Sequence, residues 1–298
     1  MLFRSGTETK YGLIDETLNI TDKGYVPTPT TDFETLSQTI YDIYLPCRDK
    51  AEGISMSLPG FIDVENGLVL GGAGAMKYRH DQDVARRLSE RCGCKVVLEN
   101  DGKAAALAEY EYGNLKGCRN AAVFVIGTGV GGGIIINGDI LRGSHFSAGE
   151  FSFLCTEGTA YDYHDRMLGN RCSTTFLLKT YREKSGCDEK IGGREFFRRL
   201  PNDKAAQEAL DELCTNIAVQ VYNFSWLLDL EKVAIGGGIS SAPELLEHIK
   251  MKYEEVKKGS FTGMRGFKTH TEIVPCLFKN DANLIGSYIT YQRQSATR

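Results

Sequence analysis

Leu98-Glu99-Asn100-Asp101-Gly102-Lys103-Ala104-Ala105-Ala106-Leu107-Ala108-Glu109 is the stretch on which the reading of this chain turns. An apolar run closes on a carboxamide and a carboxylate, then passes at once into alanine-rich sequence of high helix propensity, so a strand tip feeds a helix. Further on, Ala121-Ala122-Val123-Phe124-Val125-Ile126-Gly127-Thr128-Gly129-Val130-Gly131-Gly132-Gly133 is a second strand, ending in five glycines within seven residues. Glycine gives up backbone entropy so that peptide N–H groups can approach a ligand closely, and a phosphate is the usual ligand. An acid at a strand tip and a glycine-rich turn are what phosphoryl transfer asks for: a base for the attacking hydroxyl and a cradle for the nucleotide.

The 298 residues, 42% of them hydrophobic, can bury a substantial core, and the length suggests two medium domains. With 35 basic and 39 acidic residues the net charge is −4, which gives no electrostatic footprint for nucleic acid or an anionic membrane. No apolar run approaches the roughly 20 residues that span a bilayer, and no export signal opens the chain, so a cytoplasmic protein is expected. The nine cysteines are odd in number and scattered, as reduced thiols would be. Cys92-Gly93-Cys94 has the look of half a metal site, but no second pair completes a tetrahedral shell, and structural thiols are the favoured reading.

Along the chain, strands with turns are expected up to Tyr25, then a helix capped by Asp32 with Leu36, Ile40, Ile43 and Tyr44 at helical spacing. Ile54-Ser55-Met56-Ser57-Leu58 alternates as a strand and stops at Pro59-Gly60. Gly71-Gly72-Ala73-Gly74 reads as an open loop, and an amphipathic helix between Asp81 and Cys92 returns the chain to the strand Lys95 to Glu99. Asn137-Gly138 supplies the two positive-φ positions of a type I′ hairpin turn. Gly143 to Phe153 is a polar loop bearing Glu150, and loops of this kind carry function more often than fold. Helices are expected over Ser173 to Glu183, Gly193 to Leu200 and Ala205 to Leu228, and the last helix begins at Asn280-Asp281-Ala282-Asn283. Val233-Ala234-Ile235 into Gly236-Gly237-Gly238-Ile239 is a second strand-to-glycine junction, and two such junctions can hold two ends of one nucleotide.

Each signal has an ordinary counterpart. Asn and Asp are preferred helix N-caps, so Asp101 is accounted for by capping alone. Glycine runs occur in many turns, and a lone Gly-x-Gly is weak. Their order decides between the readings: acid at a strand tip, then Gly127-Thr128-Gly129, then Gly236-Gly237-Gly238.

In that order the chain resembles the ROK family of sugar kinases, within the actin-like ATPase superfamily. The residues that carry the resemblance are Leu58-Pro59-Gly60-Phe61-Ile62-Asp63, Glu99-Asn100-Asp101, Ile126 to Gly133, Ala148-Gly149-Glu150 and Ile235-Gly236-Gly237-Gly238-Ile239, spread from about residue 5 to about residue 290. The resemblance implies an α/β, two-domain actin-like ATPase (ribonuclease H-like) fold with a central inter-domain cleft. Its smaller N-terminal domain would be residues 1–112 plus 283–298, and its larger C-terminal domain 113–282. By the same resemblance Asp101 is the base that takes the proton of a sugar hydroxyl. Asn100, Glu150 and Gly72 bind the sugar, Gly6, Thr7, Gly127, Thr128 and Gly129 hold ATP phosphates, and Gly237 and Gly238 lie at the nucleotide. ATP and Mg²⁺ are the implied cosubstrate and ion, and a homodimer the implied assembly.

Three departures accompany the matches. The family's opening Asp-x-Gly-Gly-Thr aligns with Phe3-Arg4-Ser5-Gly6-Thr7, which puts Phe3 where the acid stands and leaves little of the leading strand, as an atypical or truncated start would. The family's zinc-binding Cys run is absent, with Cys155 and Cys172 too far apart to imitate it, so no structural zinc is expected. The family's Gly-Glu-Ile-Gly-His reads Gly149-Glu150-Phe151-Ser152-Phe153, which removes a histidine that is both zinc ligand and sugar contact. The last two losses go together and resemble the zinc-less branch that includes β-glucoside kinases. Phe153 then either stacks on a larger, less polar sugar or fills the volume that zinc vacated. The reading is an ATP-dependent kinase acting on a hydroxyl, the 6-OH, of a hexose or β-glucoside. Its alternative, prompted by Phe3, is a sugar-binding pseudokinase with impaired ATP use. A sugar-responsive repressor of the same family would need a DNA-binding helix-turn-helix ahead of this body, and none is expected.

Overall fold

The computed structural model describes residues 2–4, 8–71, 83–156 and 164–296. The chain forms two compact units, one of Met1–Ala108, Arg142–Ala148 and Asp281–Arg298, the other of Glu109–Leu141 and Gly149–Asn280.

In the first unit β1 (Leu2–Arg4), β2 (Glu8–Ile14) and β3 (Ile20–Pro27) precede α1 (Phe33–Tyr44), and β4 (Gly53–Leu58) is followed by the short β5 (Phe61–Asp63) and β6 (Leu68–Gly71). Then come α2 (Val84–Cys92), β7 (Lys95–Asn100) and α3 (Asp101–Glu111). The main sheet has the order β3-β2-β1-β4-β7. Short as it is, β1 lies at the centre, with Phe3 paired antiparallel to Tyr11 and parallel to Met56. Asp32 caps α1 by accepting from the Thr35 N–H at 2.7 Å, and Leu36, Ile40 and Tyr44 are buried, as the spacing requires. Gly93, at φ +67°, closes α2, so the Cys92-Gly93-Cys94 spacing serves a helix end.

The second unit repeats the plan. Its strands β8 (Ala121–Ile126), β9 (Val130–Ile136), β10 (Asp139–Ile140), β11 (Lys232–Gly236) and β12 (Glu272–Pro275) have the order β10-β9-β8-β11-β12. Between β10 and β11 lie α4 (Leu168–Arg171), α5 (Thr174–Ser185), α6 (Gly193–Arg199) and α7 (Lys204–Leu228), and before β12 lie α8 (Pro243–Gly259) and α9 (Phe261–Met264). The first strand is again central, antiparallel to the hairpin strand and parallel to the next. Asn137 and Gly138 turn that hairpin with φ of +53° and +81°, and Asp139 pairs with Ile136. The core stacks Phe151 on Phe124 at 4.5 Å, with Phe224 of α7 tilted against both, and Ile217, Val221, Leu245 and Ile249 complete it. Two five-stranded sheets of one order are the doubled arrangement of an actin-like ATPase.

The last helix, α10 (Ala282–Ala296), belongs to the first unit. It covers the serine face of β4: Ser55 Oγ donates to the Ser287 carbonyl, and every residue of β4 is buried, as befits a strand with parallel neighbours. Against α3 it packs through Gly286, where a Cβ would stand 1.7 Å from the Ala104 carbonyl oxygen. Gly286→Ala gains about 0.8–1 kcal/mol of helix propensity. Overpacking against backbone costs about 1–3 kcal/mol or more, so urea denaturation is expected to show a net loss of stability.

Candidate active site

The β7–α3 junction places Asn100 and Asp101. Asn100 is 3% exposed, and its Oδ1 accepts from the Lys103 N–H at 2.9 Å, which is the N-cap bond of α3, while its Nδ2 donates to the Gly60 carbonyl at 2.9 Å. The cap is therefore Asn100, and the capping explanation of Asp101 is corrected. Asp101 is the first residue of the helix proper, half-buried, with one carboxylate oxygen accepting from the Gly102 N–H at 2.8 Å and its backbone carbonyl held by Asn283 Nδ2 at 2.8 Å. The helix N-terminus favours negative charge at this position. Gly60, at φ +105°, makes the turn after β4 that brings its carbonyl to Asn100.

Behind the junction, Glu99 is fully buried. Its oxygens accept from both terminal nitrogens of Arg142, at 2.9 and 2.7 Å, from Thr290 Oγ1 at 2.9 Å and from the Asn100 N–H at 2.8 Å.

In the second unit the Gly127-Thr128-Gly129 turn links β8 to β9. Its Gly127 N–H closes on the Gly129 carbonyl at 2.9 Å. The carbonyls of Gly127 and Thr128 accept from the Thr174 N–H and Thr175 Oγ1 at the start of α5, each at 2.9 Å. A phosphate cradle must offer donors, and this arrangement occupies the competing acceptors. Ser152 Oγ accepts from the Val130 N–H at 3.0 Å and donates to the Val130 carbonyl at 2.7 Å, so the turn bearing Glu150 is fastened to the exit of the Gly127-Thr128-Gly129 turn. Glu150 is half-buried and follows Gly149, whose φ is +80°. Phe153 is 48% exposed, and Phe151 is the ring that fills the core, so the volume-filling reading of Phe153 is not met.

Gly237 and Gly238 follow β11. Gly237 has φ +102°, and a Cβ on it would lie 2.1 Å from the Ile126 carbonyl oxygen, so only glycine fits where β11 ends beside β8. A Cβ on Gly238 would meet nothing within 4 Å, and one on Gly127 would meet only the Gly129 oxygen, at 3.8 Å. At both positions the backbone is left bare. Gly6, Thr7 and Gly72 lie outside the described residues.

Cys172 is buried, its thiol pushed up to about 12 by burial, whereas Cys155 is exposed. Among the described residues no three His, Cys, Asp or Glu side chains gather as a metal shell.

With this geometry in view, the model of the ROK family matches residues 5–294. The chain belongs to the ROK family. A β-glucoside kinase of Listeria monocytogenes is 32% identical to this ROK protein over 248 residues, 82% of this chain and 81% of its own. A ROK protein from Streptococcus pneumoniae, solved in complex with sucrose, superposes with a TM-score of 0.85 at 28% identity, covering 99% of this chain and 98% of its own. A ROK glucokinase from Streptomyces griseus, solved with glucose and AMPPNP, shares the fold at a TM-score of 0.82 and 23% identity over 97% of this chain and 98% of its own.

Sequence reasoning passed over Ser152, Arg142 and Lys103. A serine or a cation in a loop or helix carries no local mark of its partner, and each partner here is remote or a backbone group. The two glycines after β11 separate fold from ligand contact. Gly237→Ala is expected to lower unfolding free energy by about 2 kcal/mol or more through strain and overlap. Gly238→Ala should stay within about 0.5 kcal/mol of the parent, as open surface sites do, and thermal denaturation of the pair checks the difference.

Proposed function

We propose that this ROK protein is an ATP-dependent sugar kinase that transfers the γ-phosphoryl group to a hydroxyl, the 6-OH, of a hexose or a β-glucoside. The observation that carries the reading is the division of labour at the start of α3: Asn100 makes the N-cap bond from its side chain, and Asp101 follows it as the first residue of the helix, half-buried at the strand tip. A carboxylate so placed accepts the proton of the sugar hydroxyl as that oxygen bonds to the γ-phosphorus and the bond from phosphorus to the ADP oxygen breaks. Asn100 and Glu150 orient the sugar through its other hydroxyls, with Gly72 assigned to the same task by resemblance. Positioning of this kind supplies much of the rate in phosphoryl transfer.

The backbone at Gly127, Thr128, Gly129, Gly237 and Gly238 would hold ATP, with Gly6 and Thr7 assigned to its phosphates by resemblance. Mg²⁺, arriving with the nucleotide, would neutralise the developing phosphate charge. The β-glucoside reading is supported by the Listeria relative's name and by Phe153, whose exposed ring suits the apolar face of a sugar. The remaining assignments are a cytoplasmic location and a homodimer. All nine cysteines are free thiols, and no helix among the described residues is long and apolar enough to cross a membrane. For the homodimer, the second unit exposes Trp226, Leu227, Phe261, Met264 and Phe267.

A coupled ADP-release assay with ATP and Mg²⁺ against glucose, mannose, N-acetylated hexosamines, cellobiose and aryl β-glucosides is expected to show turnover. Asp101→Asn should cut it by about 100- to 10,000-fold, the usual worth of a general base, with sugar affinity by calorimetry nearly unchanged. Parent-level turnover in that variant would remove Asp101 from its role, and sugar binding without ADP release by the parent would make the chain a pseudokinase.

A further inference from the structure

The segment Arg142–Ala148 belongs to the first unit although the residues on either side of it belong to the second. Two cationic clasps hold it there. Arg142, whose side chain is 22% exposed, makes a bidentate pair with the fully buried Glu99. Lys103, 1% exposed on the first turn of α3, donates from Nζ to the Phe146 carbonyl at 3.2 Å. The backbone is forced at Phe146, a bulky residue with φ +59°. Such a conformation persists only where the surroundings over-determine it, and it collects at functional sites.

Both clasps reach the reaction through neighbours. Glu99 immediately precedes Asn100 and accepts its N–H, and Lys103 gives its own N–H to the Asn100 cap. At the other end the Ala148 N–H returns to the Arg142 carbonyl at 3.2 Å, and the chain then runs through Gly149 to Glu150. We propose that Arg142, through Glu99, is a positioning residue for the transfer reaction, with Lys103 as its second fastening: the ion pair sets the Asn100–Asp101 strand tip. Guanidinium geometry is essential, because a fork held by two carboxylate oxygens fixes orientation as well as distance, which an ammonium cannot.

The inference rests on the kinase reading, and the experiment separates the two. Steady-state kinetics on the full chain, with the best sugar of the panel, compare the parent with Arg142→Met, Arg142→Lys, Glu99→Gln and the Glu99→Gln/Arg142→Met double variant. Thermal denaturation runs alongside. Loss of the fork is expected to lower kcat/KM for sugar by about 10- to 100-fold, with kcat falling and sugar KM rising together. The KM for ATP should hold within about twofold, since its cradle is built on other strands. The double variant should cost no more in kcat than the worse single one, the mark of residues that act as a unit. Should Arg142→Met not fold, Arg142→Lys decides. Parent kinetics in the folded Arg142 variant, or a lowered melting temperature with kcat and both KM values unchanged, overturns the proposal. A parent without turnover on any sugar instead overturns the kinase reading.

Discussion

A carboxylate with no access to water is tolerable only where its oxygens are fully used, and Glu99 meets that constraint with four donors from three places in the chain. The donors come from its own strand, from the Arg142 segment and from α10. The last strand of the sheet, the last helix and an inserted loop are thereby registered to one point. Asn100 and Asp101 are the next two residues, so the tip proposed to meet the sugar inherits its position from the buried carboxylate behind it. Ser55 and Ser57 of β4 and Ser287 and Thr290 of α10 are buried, and among the described residues the Ser57 hydroxyl has no hydrogen-bond partner. A purely apolar layer would pack as well but would leave the tip without directional bonds.

The second unit solves a different problem with the same economy of parts. A loop that is to bind phosphate must keep its carbonyls from opposing the ligand's charge, and α5 and Ser152 draw on carbonyls at and just beyond the turn. Glycine at 237 is dictated by the fold, through the approach of β11 to the end of β8, while glycine at 238 has no such reason in the surrounding protein. Adjacent residues of one type thus serve two ends, one steric and one open to chemistry.

Much of this was legible in the sequence because the responsible forces are local. The Asp32 cap, the Asn137-Gly138 turn and the strand-to-helix junction at Asp101 follow from a few adjacent residues. Which of the two junction residues makes the cap is not legible in the sequence, since Asn and Asp are nearly equivalent caps and only the bond from Lys103 N–H distinguishes them. Ser55 and Ser57 look like the wet face of a half-buried strand, and they are dry because α10 lies over them, more than 220 residues further along the chain. Arg142 and Lys103 look like solvated charges, and their partners are a residue 43 positions away and a backbone carbonyl at the same separation. Periodicity reports the face that a residue occupies and is silent on what arrives to cover it.

The place of α10 also bears on the order in which the molecule is assembled during synthesis. The second unit is made of Glu109–Leu141 and the unbroken run Gly149–Asn280, and its core pairs α7 and α8 with strands that have emerged before them or follow closely. The first unit holds most of the earlier residues, yet its buried carboxylate and its serine face wait for α10, with contacts up to 232 positions apart in sequence. Non-local closures of this length are slow relative to local ones, and surface that awaits them stays open in the meantime. The part of the protein that is made first is therefore the part that is finished last.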